Sequence, residues 1–157
     1  LDGFIEGPDG EYDWCFTDQD YGMAEFLKGV DAVFYGRKSY EMMKTFEGGN
    51  PFGHLKSYVF SSRGIADAAG VEILSDTDAA RSIIGQPGKN IWLFGGASLT
   101  ASLMKAGLVH ELWLAVHPII LGAGKPLFSD IGKRVPLKLL ETKAYETGLI
   151  CVRYAVG

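Results

Sequence analysis

The chain has 157 residues, enough for one domain with a real hydrophobic core. Hydrophobic residues make up 47% and charged residues 22%, the balance of an ordinary globular protein. A net charge of −4 argues against a general binder of nucleic acid or anionic membrane, so a phosphate site would have to be a local basic patch for a small anion.

Met23, Phe26, Leu27 and Val30 follow the spacing of an amphipathic helix, which runs straight into an apolar strand at Ala32–Tyr35. A second helix follows Arg37, with Tyr40, Met43 and Phe46 predicted to face inward, and Gly48-Gly49-Asn50-Pro51 breaks it. Tyr58–Phe60 and Val71–Leu74 read as short strands. Ser75, with Asp78 three residues on, has the form of a capping box opening a helix that Gln86-Pro87-Gly88 stops. Ile91–Phe94 is the most hydrophobic strand, and a helix from about Ala97 to Ala106 follows, burying Leu99 and Leu103. Glu111–Ile120 reads as one long strand ended by Gly122-Ala123-Gly124. Val135–Tyr145 and Leu149–Val156 form two β segments joined by Glu146-Thr147-Gly148, a hairpin signal. Strand–helix alternation followed by an antiparallel finish predicts a single α/β domain, residues 1–157, with a mixed sheet.

No stretch approaches eighteen apolar residues, so no transmembrane helix is expected, and no signal-peptide pattern is visible. The chain opens at Leu1-Asp2-Gly3 without Met, which leaves upstream residues, an export signal among them, open. Cys15 and Cys151 match no metal or redox spacing and read as free thiols of a reducing cytoplasm. His54, His110 and His117 show no ligand spacing either, so no catalytic metal is expected. His117 alternates with Trp113 and Ala115 on the long strand and reads as a satisfied structural histidine. The apolar character of both faces of that strand is also compatible with a homodimer interface.

Three apolar runs end in small, hydroxyl-bearing or cationic residues: Gly36-Arg37-Lys38-Ser39, Ser61-Ser62-Arg63 and Gly95-Gly96-Ala97-Ser98. Ligands of α/β sheets gather at the carboxyl ends of the strands, so these segments together predict a nucleotide site. Glycines at a strand-to-helix turn let backbone approach a pyrophosphate closely, and Arg37 offers a bidentate fork to phosphate. Cations at a helix N-terminus oppose the helix dipole, a conflict that a bound anion would remove. Neither a Gly-x-Gly-x-x-Gly fingerprint nor a Walker A sequence is present.

Leu1-Asp2-Gly3-Phe4-Ile5, Gly7-Pro8-Asp9-Gly10 and Trp14 resemble the first strand and flexible loop of dihydrofolate-reductase-like proteins, and the three strand-end segments resemble that superfamily's NADPH-contacting segments in order. Within it the chain is most similar to stand-alone proteins related to the reductase (C-terminal) domain of the riboflavin-biosynthesis bifunctional deaminase-reductase. Leu108-Val109-His110-Glu111-Leu112 and the run from Pro118 to Phe128 are typical of that branch. The resemblance covers essentially the whole chain. It implies a three-layer αβα fold, a mostly parallel sheet with an antiparallel C-terminal hairpin, and commonly a homodimer.

The resemblance also implies roles. Gly36, Arg37, Lys38 and Ser39, with Ser61, Ser62 and Arg63, would hold the 2′-phosphate and pyrophosphate of NADPH, and Gly95, Gly96, Ala97 and Ser98 would cradle the pyrophosphate from the other side. Two arginines near a 2′-phosphate favour NADP over NAD. The Gly7–Trp14 loop would close over the nicotinamide. The acid that folate reductases carry on their first helix matches a position near Gly22, which cannot deliver a proton, so folate reduction is not favoured. Asp20 and Asp2 are the candidate acids; Asp18 and Asp20 also suit helix capping. The expected activity is NADPH-dependent reduction of a small polar heterocycle or carbonyl compound, related to 5-amino-6-(5-phosphoribosylamino)uracil reduction. A non-catalytic NADP(H)-binding dimeric module is the alternative. Lys125 and Lys105 are the cations available for a substrate phosphate.

Overall fold

The computed structural model describes residues 1–65 and 68–157. Nine strands and four helices are assigned among them: β1 (Phe4–Glu6), α1 (Met23–Lys28), β2 (Val30–Gly36), α2 (Arg37–Met43), β3 (Lys56–Phe60), β4 (Val71–Leu74), α3 (Thr77–Ile84), β5 (Asn90–Gly95), α4 (Ala97–Lys105), β6 (Glu111–Val116), β7 (Lys125–Pro126), β8 (Leu137–Ala144) and β9 (Ile150–Val156). The four strands β4-β3-β2-β5, in that order, form an all-parallel sheet.

That sheet is covered on both faces, as parallel sheets must be. Val33, Tyr35 and Val59 point to the side of Tyr40 and Met43 of α2 and of Phe26 and Leu27 of α1. Ala32, Phe34 and Tyr58 point to the opposite side, toward Ala80 of α3 and Leu103 of α4. Alternation along β2 and β3 thus produces the three αβα layers, and β2 is apolar from Ala32 to Tyr35 because both its faces are core there.

The antiparallel finish is a separate three-stranded sheet, β6-β9-β8, and β1 pairs with β7 as a two-stranded antiparallel strap. The mixed sheet expected from sequence is therefore interrupted: hydrogen bonding stops between β5 and β6. Helix α1 bridges that break through Phe26, whose ring meets Trp92 of β5 at 5.2 Å and Trp113 at 4.9 Å, both edge-on.

Several element boundaries differ from the sequence expectation. Gly29 ends α1, whose last turn it closes by donating to the Phe26 carbonyl, so Val30 begins β2 instead of completing a helical face. Phe46 lies beyond α2 and is exposed. Asp76, not Ser75, caps α3: its carboxylate accepts from the amides of Asp78 and Ala79, and the Ser75 hydroxyl donates to it. The strand β6 stops at Val116, four residues early, because Pro118 has no N–H to continue a ladder. The C-terminal hairpin forms as expected, with Tyr145 and Leu149 closing its turn.

Candidate active site at the carboxyl edge of the parallel sheet

All four strands of the parallel sheet end on one edge. From β2 the chain proceeds to β3 and β4 on one side, then crosses to β5 on the other, so β2 and β5 meet at a topological switch point. Such a reversal leaves a crevice between the two carboxyl ends, since the following helices leave in opposite directions. Here the crevice is lined by glycine. A Cβ added to Gly36 would lie 3.3 Å from both the Gly95 carbonyl oxygen and the Gly96 nitrogen, so a side chain here would push the two strand ends slightly apart. The Gly95–Gly96 peptide is cis. Gly96 is the N-cap of α4, and no side chain caps that helix.

Around this turn the predicted segments take distinct places. The Ser39 hydroxyl oxygen lies 3.5 Å from the position a Gly96 Cβ would occupy, and the Lys125 ammonium lies 3.9 Å from it. Ser98 is exposed on the first turn of α4, and Ala97 is buried beneath it. Arg37 opens α2 and is half-buried, while Lys38 is exposed. The Arg37 guanidinium donates to both Glu41 carboxylate oxygens, at 2.7 and 2.8 Å. The conflict between Arg37 and the helix dipole is thus met within the helix, by an exposed i,i+4 pair worth about 0.3–0.5 kcal/mol.

At the end of β3 the Ser61 hydroxyl donates to the Gly64 carbonyl and accepts from the Arg63 amide, forming the turn itself. Ser62 and Arg63 are exposed on that turn. The order along the sheet edge is therefore Ser61–Arg63, Gly36–Ser39, Gly95–Ser98, with the glycine crevice between the last two.

The two candidate acids are engaged elsewhere. Asp2 accepts a 2.8 Å hydrogen bond from the Gly122 amide, which holds its carboxyl below the ordinary aspartate value. Asp20 accepts from the Ala24 amide on the first turn of α1. Neither lines the cavity of about 1540 Å³ that runs from the glycine crevice along the gap between β5 and β6. Glu6 of β1 does line it, next to Gly95, Gly96 and Ser39. Its carboxylate pairs with Lys125 at 3.1 Å.

His117 behaves as a structural residue. Its Nε2 accepts from the Phe16 amide, and the rings of Trp14 and Phe16 pack edge-on against it. Burial pushes its pKa down, consistent with a neutral ring whose Nε2 is an acceptor. His117 thus pins the loop that follows Gly7 to the end of β6. That loop closes on itself through Gly7 and Glu11, and Tyr12 and Cys15 at its far end line the cavity.

Sequence reasoning missed the pairing of β1 with β7 and the carboxylate of Glu6. Two residues of β7 carry no periodic signal, and their partner strand lies about 120 positions away.

The family model for the RibD C-terminal domain matches residues 1–151. The chain belongs to this family. It is 38% identical to the uncharacterized protein YyaP of Bacillus subtilis (strain 168), over 98% of this chain and 89% of that protein. Among solved structures, the "Putative riboflavin biosynthesis protein" of Shewanella sp. PV-4 superposes with a TM-score of 0.87 at 22% identity, over 100% of this chain and 94% of that one. Schistosoma mansoni dihydrofolate reductase superposes with a TM-score of 0.62 at 17% identity, over 94% and 91%. The RibD C-terminal chain described here therefore has the dihydrofolate-reductase-like α/β fold expected from its sequence. Among its described residues, no helix is long and apolar enough to cross a membrane.

Proposed function

We propose that this RibD C-terminal family member is an NADPH-dependent reductase of a small polar heterocyclic or carbonyl compound, related to the uracil-intermediate reductase of riboflavin biosynthesis. The observation that carries this reading is the side-chain-free turn of Gly36, Gly95 and Gly96 at the switch point, with the Lys125 ammonium beside it. A Cβ at Gly95 or Gly96 would fill space that a phosphate can use, and the uncapped start of α4 supplies donors toward it. The donor set fits a dinucleotide carrying a further phosphate. Gly95, Gly96, Ala97 and Ser98 would hold the pyrophosphate; Gly36, Arg37, Lys38 and Ser39, with Ser61, Ser62 and Arg63, would hold the 2′-phosphate side. When bound, NADPH supplies the hydride. The chain's own contribution is to fix the phosphates, to present the apolar walls of the cavity, and to exclude water with the loop that His117 anchors.

Calorimetric titration with NADPH and NADH tests this. Micromolar NADPH binding is expected, weaker for NADH. Arg37→Ala is expected to weaken NADPH about tenfold, a loss of about 1.4 kcal/mol, and to narrow the gap between the two dinucleotides. Absence of NADPH binding to the unaltered protein would overturn the reading.

One observation favours the second reading, a non-catalytic NADP(H)-binding module. Asp2 and Asp20 both accept from backbone amides and neither lines the cavity, which favours a site without a proton donor. Turnover of any carbonyl or heterocyclic substrate with NADPH oxidation would exclude it.

The antiparallel sheet supports a homodimer. Strand β8 is exposed along its whole length and has one unpaired edge, and its register places Leu137 and Leu139 on the face shared by Ile150 and Tyr154. Leu139 is 54% exposed, an arrangement that a second copy of the chain would cover. Leu139→Glu is expected to convert a dimer to a monomer in analytical ultracentrifugation, with dissociation at least tenfold easier. The unpaired thiols of Cys15 and Cys151 suit a cytoplasmic protein.

A further inference from the structure

Beside the glycine crevice stands a cation from a part of the fold distinct from the three strand-end segments. Lys125 reaches it from the strap, where β7 lies antiparallel to β1 with Glu6 and Lys125 directly opposed. The ammonium is 3.1 Å from the Glu6 carboxylate and 3.9 Å from the space above Gly96. Both side chains line the same cavity as Ser39, Gly95 and Gly96.

The backbones beneath this pair run close together: a Cβ on Gly124, at φ +142°, would overlap the Glu6 carbonyl oxygen, and the Leu127 amide donates to the Gly3 carbonyl. The side-chain ends are less constrained. The Lys125 and Glu6 side chains are 41% and 36% exposed, and an ion pair so hydrated contributes little to stability. An ammonium held this loosely beside an anion-accepting turn can exchange its carboxylate for a phosphate. The phosphate brings more charge, while the carboxylate is a single-charge competitor that repels an incoming anion.

We propose that Lys125 is an anion-binding residue of the glycine crevice and that Glu6 is its resident counter-ion, displaced when the ligand's phosphate arrives. This rests on the dinucleotide reading above and adds to the site a cation supplied by the strap. It gives Glu6 and Lys125 opposite effects on affinity. Removing the cation weakens phosphate binding; removing the competing carboxylate strengthens it. A pair that merely ties β1 to β7 would behave differently, since either loss would loosen the same strap and move stability in the same direction.

The test is titration of NADPH into the unaltered protein, Lys125→Met, Lys125→Arg and Glu6→Gln at low salt, with the melting temperature of each recorded. Lys125→Met keeps the apolar stem and is expected to weaken binding about tenfold, with Lys125→Arg restoring most of the loss. Glu6→Gln is expected to tighten binding about threefold. Equal affinities across the set, with Arg37→Ala still weakened, would overturn this inference and leave the dinucleotide reading standing. Weakening by both Lys125→Met and Glu6→Gln, with parallel falls in melting temperature, would overturn it in favour of a structural strap. No NADPH binding to the unaltered protein would overturn both.

Discussion

Replacing Gly124 with alanine is expected to lower stability by about 3–5 kcal/mol, which for a domain of this size is a large fraction of the total. Two costs add. The residue sits at φ +142°, a conformation that L side chains rarely adopt. A methyl group there would also overlap the Glu6 carbonyl oxygen and stand 3.1 Å from the Gly7 Cα. Both obstacles are backbone, so neither can swing aside as a long side chain can. Gly10→Ala is the matched control. It has φ +83° with nothing within 4 Å of the added carbon, so it bears the conformational cost alone, about 1 kcal/mol. Urea unfolding of the two variants separates the terms. A Gly124→Ala protein no less stable than Gly10→Ala would mean that β1 and β7 are not held together as described.

Gly96→Ala is expected to do the opposite: keep the fold and lose the ligand. Gly96 has φ −87° and ψ −166°, which alanine adopts without strain. Its added carbon would meet the Ser39 hydroxyl oxygen at 3.5 Å and the Lys125 ammonium at 3.9 Å, both ordinary contacts. Stability is therefore expected to be unchanged or to rise by about 0.5 kcal/mol, because alanine restricts the unfolded chain. The same methyl group occupies the space into which a pyrophosphate would settle. NADPH affinity is expected to fall about 100-fold, or about 2.7 kcal/mol. A melting curve and a titration on one sample check both halves. Unchanged affinity would move the phosphate site away from this turn.

The layers were legible because their physics is local. Alternation in Val33, Phe34 and Tyr35 follows from burial on both faces of β2, and the three strand-end segments emerge on one edge because the strands that carry them are parallel. The hairpin was legible for the same reason, since its turn signal lies between two adjacent β segments. What the sequence could not disclose depends on pairing at long range. Lys125 stood beside Lys105 as a cation for a substrate phosphate, with nothing to separate the two until β7 met β1, and Glu6 gave no signal at all. The Arg37–Glu41 pair has helical spacing that the sequence displays, and it makes the cationic helix start more comfortable than Arg37 and Lys38 alone imply. Pro118 likewise marked the end of β6 in plain view. The resemblance puts Asp2 on the first strand beside the pocket, but it lies ahead of β1 and its carboxylate accepts from the Gly122 amide.

The strap also sets where the molecule opens. Strands β2 and β3 are held on two faces by helices and on both edges by neighbours, whereas among the described residues β1 and β7 pair as strands only with each other, through a few hydrogen bonds. Local opening follows such differences in packing, so the strap belongs to the layer of the molecule that exchanges its amide hydrogens first and the parallel sheet to the layer that exchanges last. Closing it joins segments about 120 residues apart, which places it among the last contacts to form as the chain folds. A phosphate gripped between Gly96 and Lys125 would span the fast layer and the slow one. Occupancy of the site would then register as slowed exchange in β1 and β7, far from any change in the sheet itself.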